Sequence, residues 1–153
     1  MKNIRVSAKA VIIQDGRLLV TKNVDQFGTF YLLPGGGQLP GETLIDALKR
    51  ECREEIGVEV DVGELLFVRE YIGCNHEFAF WDGDIHQVEL MFACTVRDAQ
   101  VPQKGVEPDR YQVSVEWLDL DGLDSRRLYP QALKRYVASP RREERCIYMG
   151  DVN

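Results

Sequence analysis

Three glutamates in one short segment, Glu51, Glu54 and Glu55, have the i, i+3 and i+4 spacing of neighbours on a helix surface. At about 100° per residue from Leu44, they fall at roughly 340°, 280° and 20° around that helix. The apolar residues fall between about 0° and 120° and form the predicted core-facing stripe: Leu44, Ile45, Leu48, Cys52 and Ile56. We therefore expect the carboxylates to converge at the edge of the buried face.

A cluster of this kind would destabilise the fold unless something offsets its charge. Two carboxylates about 4 Å apart repel by roughly 4 kcal/mol at an intermediate dielectric, which would raise their pKa values. A divalent cation would remove this cost, and hard oxygen ligands favour Mg²⁺ or Mn²⁺ over zinc. The usual chemistry of Mg²⁺ is phosphoryl or nucleotidyl displacement. The alternative is an ordinary salt-bridged surface helix, since Arg50 and Arg53 lie among the glutamates.

Three consecutive glycines, residues 35–37, precede this helix and favour the ligand-binding interpretation. They have no side chains to keep a ligand from the backbone, and a plain turn rarely needs three. We expect Thr43 to cap the helix, with Asp46 three residues later. Gly57 is expected to end it in the left-handed conformation.

The other hydrophobic patterns predict strands around this helix and one further short helix. Strands are predicted at residues 5–13, 18–20, 30–33, 58–72 with a break at Gly63, 87–96 and 111–118. The dipeptide Asp15-Gly16 predicts a hairpin turn between the first two, and the second helix is predicted at residues 130–137. These elements indicate an α+β fold in which a mixed sheet packs against at least one long helix.

The stretch from Gly36 to Val58 resembles the Nudix box at every fixed position. After Gly36 come five residues, Glu42, seven residues and Arg50-Glu51, followed by Cys52, Arg53, Glu54-Glu55, Ile56, Gly57 and Val58. Cys52 stands where that family usually has an aliphatic residue, and it is small and apolar enough to pack there. The resemblance extends over about residues 4 to 138 but is specific only in the box.

The resemblance implies a Nudix fold, a mixed β-sheet sandwiched between helices in an α/β/α arrangement. It also implies that Glu51, Glu54 and Glu55 are catalytic ligands of Mg²⁺, with Mn²⁺ as the alternative, and that Gly36 belongs to the metal site.

Two supporting catalytic residues follow from the same resemblance. Arg50 matches the arginine that holds a box glutamate in place, and Glu42 matches the glutamate that leans across to the ligand cluster. The implied reaction is attack of water on a phosphorus atom of a diphosphate.

Outside the box, Arg69 and Glu89 are candidate substrate-binding residues. Glu89 lies within an apolar strand, where an unpaired carboxylate would be costly. The general base is left open between a box glutamate and a later acid: Glu77, Asp82, Asp84, Glu89, Glu107 or Asp109. Some loop aromatics either pack against the core or stack on a nucleobase: Phe27, Phe30, Phe78, Phe80 and Trp81.

Length, charge and cysteine usage exclude several classes of protein. The 153 residues fit a single domain over residues 1–153, although the tail from about residue 139 cannot be placed. A net charge of -6 argues against a nucleic-acid partner, and no apolar run approaches the roughly 20 residues of a membrane span. The cysteines match no zinc pattern. We expect a soluble cytoplasmic protein with no membrane partner, and a homodimer is left open.

These observations lead to two functional hypotheses. The first is Mg²⁺-dependent hydrolysis of the pyrophosphate bond in a nucleoside diphosphate linked to another moiety. Its substrate is left open among an ADP-ribose-like compound, a dinucleoside polyphosphate and an intact or oxidised nucleoside triphosphate. The alternative is a catalytically silent, nucleotide-sensing Nudix module. Such a module would be expected to lose box glutamates, so the complete box favours the enzyme.

Overall fold

The structure, a computed structural model, describes residues 3–138 and 146–153. These residues form ten strands: β1 (Arg5–Val11), β2 (Ile13–Gln14), β3 (Arg17–Asp25), β4 (Gly28–Leu32), β5 (Gly35–Gly37), β6 (Val60–Ile72), β7 (His86–Val96), β8 (Gln112–Asp119), β9 (Leu128–Tyr129) and β10 (Tyr148–Asp151). The helices of the same residues are α1 (Leu44–Ile56), α2 (Ala79–Asp82) and α3 (Leu133–Ala138), with 3-10 turns at Gly73–Asn75 and Leu120–Ser125.

The strands form two mixed sheets. The first has the order β10-β6-β7-β1-β5, in which β1 runs parallel to β7 and β10 parallel to β6, while the other pairs are antiparallel. The second has the order β2-β3-β4-β9, with β8 added to β3. The predicted break at Gly63 is instead a shift of register within the continuous strand β6.

Helix α1 packs on one face of the first sheet through small residues. Ala8 and Ala10 of β1 lie against Leu48 and Cys52 of the helix, and all are fully buried. Burial of a side chain such as Leu48 contributes about 2 kcal/mol. The prediction that Ile45 belongs to this stripe was wrong, since it is 44% exposed, whereas the neighbouring Leu44 packs against the cluster.

The ends of α1 are those predicted from the sequence. The Thr43 hydroxyl accepts from the Asp46 backbone N–H at 3.1 Å, and the Asp46 carboxylate accepts from the Thr43 N–H, which completes a capping box. Gly57 ends the helix at φ 66°, in the left-handed region that glycine adopts without strain. The helix is therefore fixed at both ends by local sequence.

The opposite face of the first sheet lies towards the second sheet, and it is apolar at Val11, Phe67 and Met91, which pack in the core between the sheets, and polar beyond them. Side chains that are paired across neighbouring strands project to the same face. Arg69 on β6 is paired with Glu89 on β7, which is paired with Ser7 on β1, which is paired with Gly37 on β5. This face therefore carries a row of polar groups that ends at the glycine strand.

Part of the tail that the sequence could not place forms the edge strand β10. It lies parallel to β6, and the Asp151 carboxylate accepts from the Ile72 N–H at 2.9 Å and from the Asn75 amide at 2.7 Å. Residues 139–145 lie outside the described residues. No helix of the described residues is long and apolar enough to cross a membrane.

Candidate active site

The predicted carboxylate cluster lies in the C-terminal half of α1, beside β5. Glu51 and Glu54 are half-buried, whereas Glu55 is only 3% exposed. The prediction that Glu55 lies at the edge of the stripe was wrong, because the loop after β7 packs over this end of the helix. There the Gly105 N–H donates to the Glu55 carbonyl at 3.0 Å.

Arg50 connects the half-buried carboxylates to the glycine strand. Its Nη1 donates to Glu51 Oε1 at 2.8 Å and to Glu54 Oε2 at 3.2 Å. Its Nη2 donates to the Gly37 carbonyl at 3.0 Å. A cation of the chain itself thus offsets part of the repulsion between the two carboxylates.

Glu42 reaches the cluster through Arg50. Its two carboxylate oxygens accept from Arg50 Nε at 2.6 Å and from Arg50 Nη2 at 3.0 Å, and the Leu39 N–H donates to it at 3.0 Å. The Arg50 guanidinium and this N–H lower the pKa of Glu42 to about 2. Such two-point pairing fixes the plane of the guanidinium, and with it the direction in which Arg50 meets the other glutamates.

Glu55 contacts the first residue of the glycine strand. Its Oε2 accepts from the Gly35 N–H at 2.7 Å, and the Asp109 carboxyl lies against it. Burial raises the pKa of Glu55 to about 8; the Lys9 ammonium and the Gly35 N–H oppose this effect, and Asp109 adds to it. This carboxyl is therefore the one in the cluster for which ionisation is most costly.

No preformed metal site is present in residues 3–138 and 146–153, where no three His, Cys, Asp or Glu side chains are spaced as ligands of one ion. The box glutamates instead have protein donors, which are Arg50 for Glu51 and Glu54, and the Gly35 N–H for Glu55. These carboxylates would have to exchange or share those donors to ligate a cation.

A cavity of about 720 Å³ opens between the two sheets, within the range of small-molecule sites. Gly35, Gly36, Glu51 and Asp109 are among its lining residues, and Glu51 is the box glutamate that reaches its surface. A cluster of aromatic side chains also lines it: Phe27, Phe30, Phe78, Trp81 and Tyr129. Phe80 lies outside the cavity and is 90% exposed.

Arg69 and Glu89 line the floor of this cavity as a buried pair. Arg69 Nε donates to Glu89 Oε2 at 2.5 Å, and Gln87 donates to Glu89 Oε1 at 2.7 Å. Burial alone would raise the pKa of Glu89, but the Arg69 guanidinium and the Lys9 ammonium hold it below its ordinary value. The Glu89 carboxylate is thus charged and paired, which reduces its basicity.

The aromatic cluster surrounds a charged pair that sequence reasoning missed. Arg127 donates to both oxygens of Asp25 at 3.0 Å. Its guanidinium lies 5.3 to 5.8 Å from the centres of four aromatic rings: Phe27, Phe30, Phe78 and Tyr129. No local signal could have joined Asp25 to Arg127, because 102 positions separate them along the chain.

The remaining acids and histidines are divided by position. Asp82 and Asp109 line the cavity, and Asp82 accepts from the Tyr71 hydroxyl at 3.0 Å. His76 pairs with Asp151, and His86 pairs with Glu70. Three candidate bases, Glu77, Asp84 and Glu107, are not among the lining residues, and neither are the two histidines.

Residues 3–139 match a family model described as the NUDIX domain. The chain belongs to the Nudix family. The matched range includes the complete box and every strand described except β10.

Similar proteins support this assignment over most of the chain. The nucleoside triphosphatase NudI of Salmonella heidelberg is 30% identical over an alignment of length 135, which covers 81% of this chain and 92% of that protein. A MutT NUDIX hydrolase from Burkholderia pseudomallei has a TM-score of 0.70 at 26% identity and covers 90% of this chain and 100% of its own. A NUDIX hydrolase from Nitrosomonas europaea has a TM-score of 0.73 at 20% identity and covers 100% of this chain and 81% of its own.

Membership confirms the predicted α/β Nudix fold and the prediction of an enzyme. Nudix proteins of this kind are hydrolases of phosphorus-containing anhydrides, act on small nucleotide substrates and generally use divalent metal ions.

Two neighbouring glycines of this Nudix site are expected to respond differently to alanine. A Cβ on Gly36 would lie 2.5 Å from Glu51 Oε1, so the flexible carboxylate would have to move. A Cβ on Gly35 would overlap the Ala8 backbone carbonyl, at a φ of 124°. We expect Gly36→Ala to lower kcat about 100-fold with little loss of stability, and Gly35→Ala to destabilise the fold by about 3 kcal/mol.

Melting temperatures and kcat of both variants check this contrast. Full activity in Gly36→Ala would show that the position of Glu51 against β5 is not needed for turnover. An unchanged melting temperature in Gly35→Ala would contradict the close approach of β5 to β1.

Proposed function

We propose that this Nudix enzyme hydrolyses a pyrophosphate bond of a nucleoside phosphate with Mg²⁺ or Mn²⁺, and that nucleoside triphosphates are its leading substrate class. The observation that carries the proposal is that one cavity is lined both by Glu51 with the glycine strand and by a cluster of aromatic rings. The carboxylate and glycine lining suits a metal-bound phosphate chain, and the aromatic lining suits the faces of a nucleobase. The similarity to a nucleoside triphosphatase supports the substrate class.

The box residues fit a hard divalent cation by their donor chemistry. We assign Glu51, Glu54 and Glu55 as its ligands, with Gly36 beside them, because carboxylate oxygens are the ligands that Mg²⁺ and Mn²⁺ prefer. Arg50 contacts one oxygen each of Glu51 and Glu54, and burial of Glu55 beside Asp109 makes a nearby cation favourable there. When bound, the cation would neutralise phosphate charge and lower the pKa of a bound water.

The other residues of the site position these groups or exchange protons. Arg50 orients Glu51 and Glu54, and Glu42 holds Arg50 in that orientation. Among the later acids, Asp109 is the best placed to accept a proton from the attacking water. It lines the cavity and faces Glu55, whereas Glu89 is already paired with Arg69. Arg69 and Glu89 are assigned to the substrate-binding floor.

A substrate panel separates this proposal from the nucleotide-sensing alternative. Nucleoside triphosphates, ADP-ribose and dinucleoside polyphosphates would be incubated with the protein and Mg²⁺ or Mn²⁺, and the products separated by chromatography. We expect the fastest turnover with a nucleoside triphosphate and the appearance of a nucleoside monophosphate. Silence across the panel, with nucleotide still bound in equilibrium dialysis, would support the sensor. A clear preference for ADP-ribose would retain the reaction class and change the substrate class.

A further inference from the structure

Strand β1 presents an alternating row of three polar side chains to the cavity, Arg5, Ser7 and Lys9. Residues two apart on a strand project to the same face. Ala8 and Ala10, which alternate with Ser7 and Lys9, project to the other face and lie under α1. The row runs beside the glycine strand, since Ser7 is paired with Gly37 and Lys9 with Gly35 in the antiparallel register.

The middle member of the row has an unsatisfied hydroxyl. Ser7 is 1% exposed, and within residues 3–138 and 146–153 its Oγ forms no hydrogen bond, a condition it shares with Gln112 Oε1. A buried polar group without a partner costs about 1–3 kcal/mol, so its presence requires an explanation. Ser7 lines the cavity, where a ligand could supply the missing partner.

The two flanking residues of the row are cations that carry donors toward the same space. Among the described residues, Arg5 pairs with no carboxylate, and its guanidinium lies over Gly37, which has no side chain to obstruct it. Lys9 donates to the Gly35 carbonyl and lies near enough to Glu55 to lower its pKa. Lys9 also lowers the pKa of Glu89, whose carboxylate already accepts from Arg69 and Gln87.

We propose that Arg5, Ser7 and Lys9 form a phosphate-binding strip that holds the polyphosphate chain of the substrate alongside the box glutamates. This inference rests on the proposed function and deepens it, because it assigns a binding site to the polyphosphate chain, which the negatively charged box carboxylates would repel. Two cations and a hydroxyl donor match phosphate oxygens, which only accept hydrogen bonds. Lys9 holds the phosphates next to Glu55, and Arg5 holds those farther along β1.

This arrangement makes the strip a determinant of substrate class. Arg5 and Lys9 are four residues apart on an extended strand, a separation of roughly 13 Å. A chain of three phosphates uses more of that length than a single pyrophosphate. The strip therefore favours nucleoside triphosphates over compounds with two phosphates, and Arg5 contributes most to that preference.

The test uses Ser7→Ala and Arg5→Gln, with Ser114→Ala on β8 as the matched control outside the cavity. We expect Ser7→Ala to raise KM for a nucleoside triphosphate about tenfold, with the melting temperature unchanged or raised because no hydrogen bond is lost. Arg5→Gln is expected to raise KM more for the triphosphate than for ADP-ribose. Ser114→Ala is expected to change neither quantity.

Calorimetric titration with inorganic tripolyphosphate, with and without Mg²⁺, makes the result independent of turnover. We expect the wild-type protein to bind it and both strip variants to bind about tenfold more weakly. If nucleotides are not hydrolysed but this weakening is seen, the strip stands and the proposed function fails. If nucleotides are hydrolysed and both variants match the wild type, the strip is wrong. A lower melting temperature of Ser7→Ala with unchanged KM would also overturn it, since the hydroxyl would then serve only the fold.

Discussion

Replacement of Glu51 by glutamine is expected to lower kcat/KM by about 10³-fold, equivalent to about 4 kcal/mol of transition-state stabilisation. Glu51 is the box glutamate that lines the cavity, and its carboxylate lies against Gly36. Glutamine keeps its size and an acceptor for Arg50 but removes the charge that a divalent cation needs. The melting temperature is expected to change little, because Glu42 and the Gly37 carbonyl still hold Arg50.

Steady-state kinetics and a thermal melt with and without Mg²⁺ check this expectation. Mg²⁺ should raise the melting temperature of the wild-type protein and have a much smaller effect on Glu51→Gln. Glu59→Gln is the matched control, because Glu59 pairs with Arg53 at the protein surface, outside the cavity. Comparable activity of Glu51→Gln and Glu59→Gln would remove Glu51 from the catalytic site.

Replacement of Glu55 by glutamine is expected to abolish activity and, at the same time, to stabilise the metal-free protein. Glu55 is nearly inaccessible to solvent and lies against another acid, Asp109. A neutral amide avoids the cost of burying a charge, its oxygen can still accept from the Gly35 N–H, and its amino group can donate to Asp109. Opposite effects on stability and activity are typical of a residue kept for function.

The raised pKa of Glu55 determines how the stability difference between Glu55→Gln and the wild type depends on pH. Burial raises the pKa of Glu55 from its ordinary value of 4.5 to about 8. Between these values the unfolded chain has lost a proton that the folded chain retains, so stability falls as pH rises from 4.5 to 8. Below this window the contribution of Glu55 is fully present. Glu55→Gln removes this dependence, and at pH about 8 it should be the more stable protein by about 4 kcal/mol, or roughly 8–16 °C in Tm.

Melting temperatures of both proteins in a chelator, measured from about pH 5 to pH 9, test the sign. The difference should be small at the acid end and widen toward neutral pH. A variant that melts below the wild type at every pH would show that the Glu55 carboxylate stabilises the fold, which contradicts a net cost of burying its charge. Retained activity in the variant would remove it from the catalytic site.

The parts of the site that the sequence predicted correctly are those fixed by local geometry. The capping box at Thr43, the helix end at Gly57 and the contact of Arg50 with Glu54 depend on residues within one turn of each other. Helical periodicity determines these positions whatever the tertiary structure. The box therefore placed its own helix accurately, whereas the pairing of the three glycines as strand β5 was not predicted.

The depth of burial could not be predicted in the same way. A helical wheel gives the angle of Glu55 around the helix but does not show which distant segments pack against it. The loop that carries Gly105 and Asp109 packs against Glu55. Ile45 shows the opposite error, since its angle lay within the predicted stripe and it is exposed, while Leu44 beside it packs against the core. Both outcomes depend on how distant segments pack, which periodicity does not specify.

The cavity walls depend on strand pairing and long-range contacts. The juxtaposition of Ser7, Glu89 and Arg69 requires the register of three strands, and the pair of Asp25 and Arg127 joins distant segments. A one-residue slip of any strand would turn these side chains away from the cavity. The sequence therefore named Arg69 and Glu89 as candidates without showing that they pair with each other.

The most direct test of metal-dependent hydrolysis at the box is phosphorus NMR of a nucleoside triphosphate mixed with the chelator-stripped wild-type protein, before and after addition of Mg²⁺. We predict no change in the spectrum before the addition, and afterwards the resonance of a nucleoside monophosphate. Equal turnover in the stripped protein, or an unchanged spectrum after Mg²⁺ with the nucleotide bound, would contradict metal-dependent hydrolysis by the box glutamates.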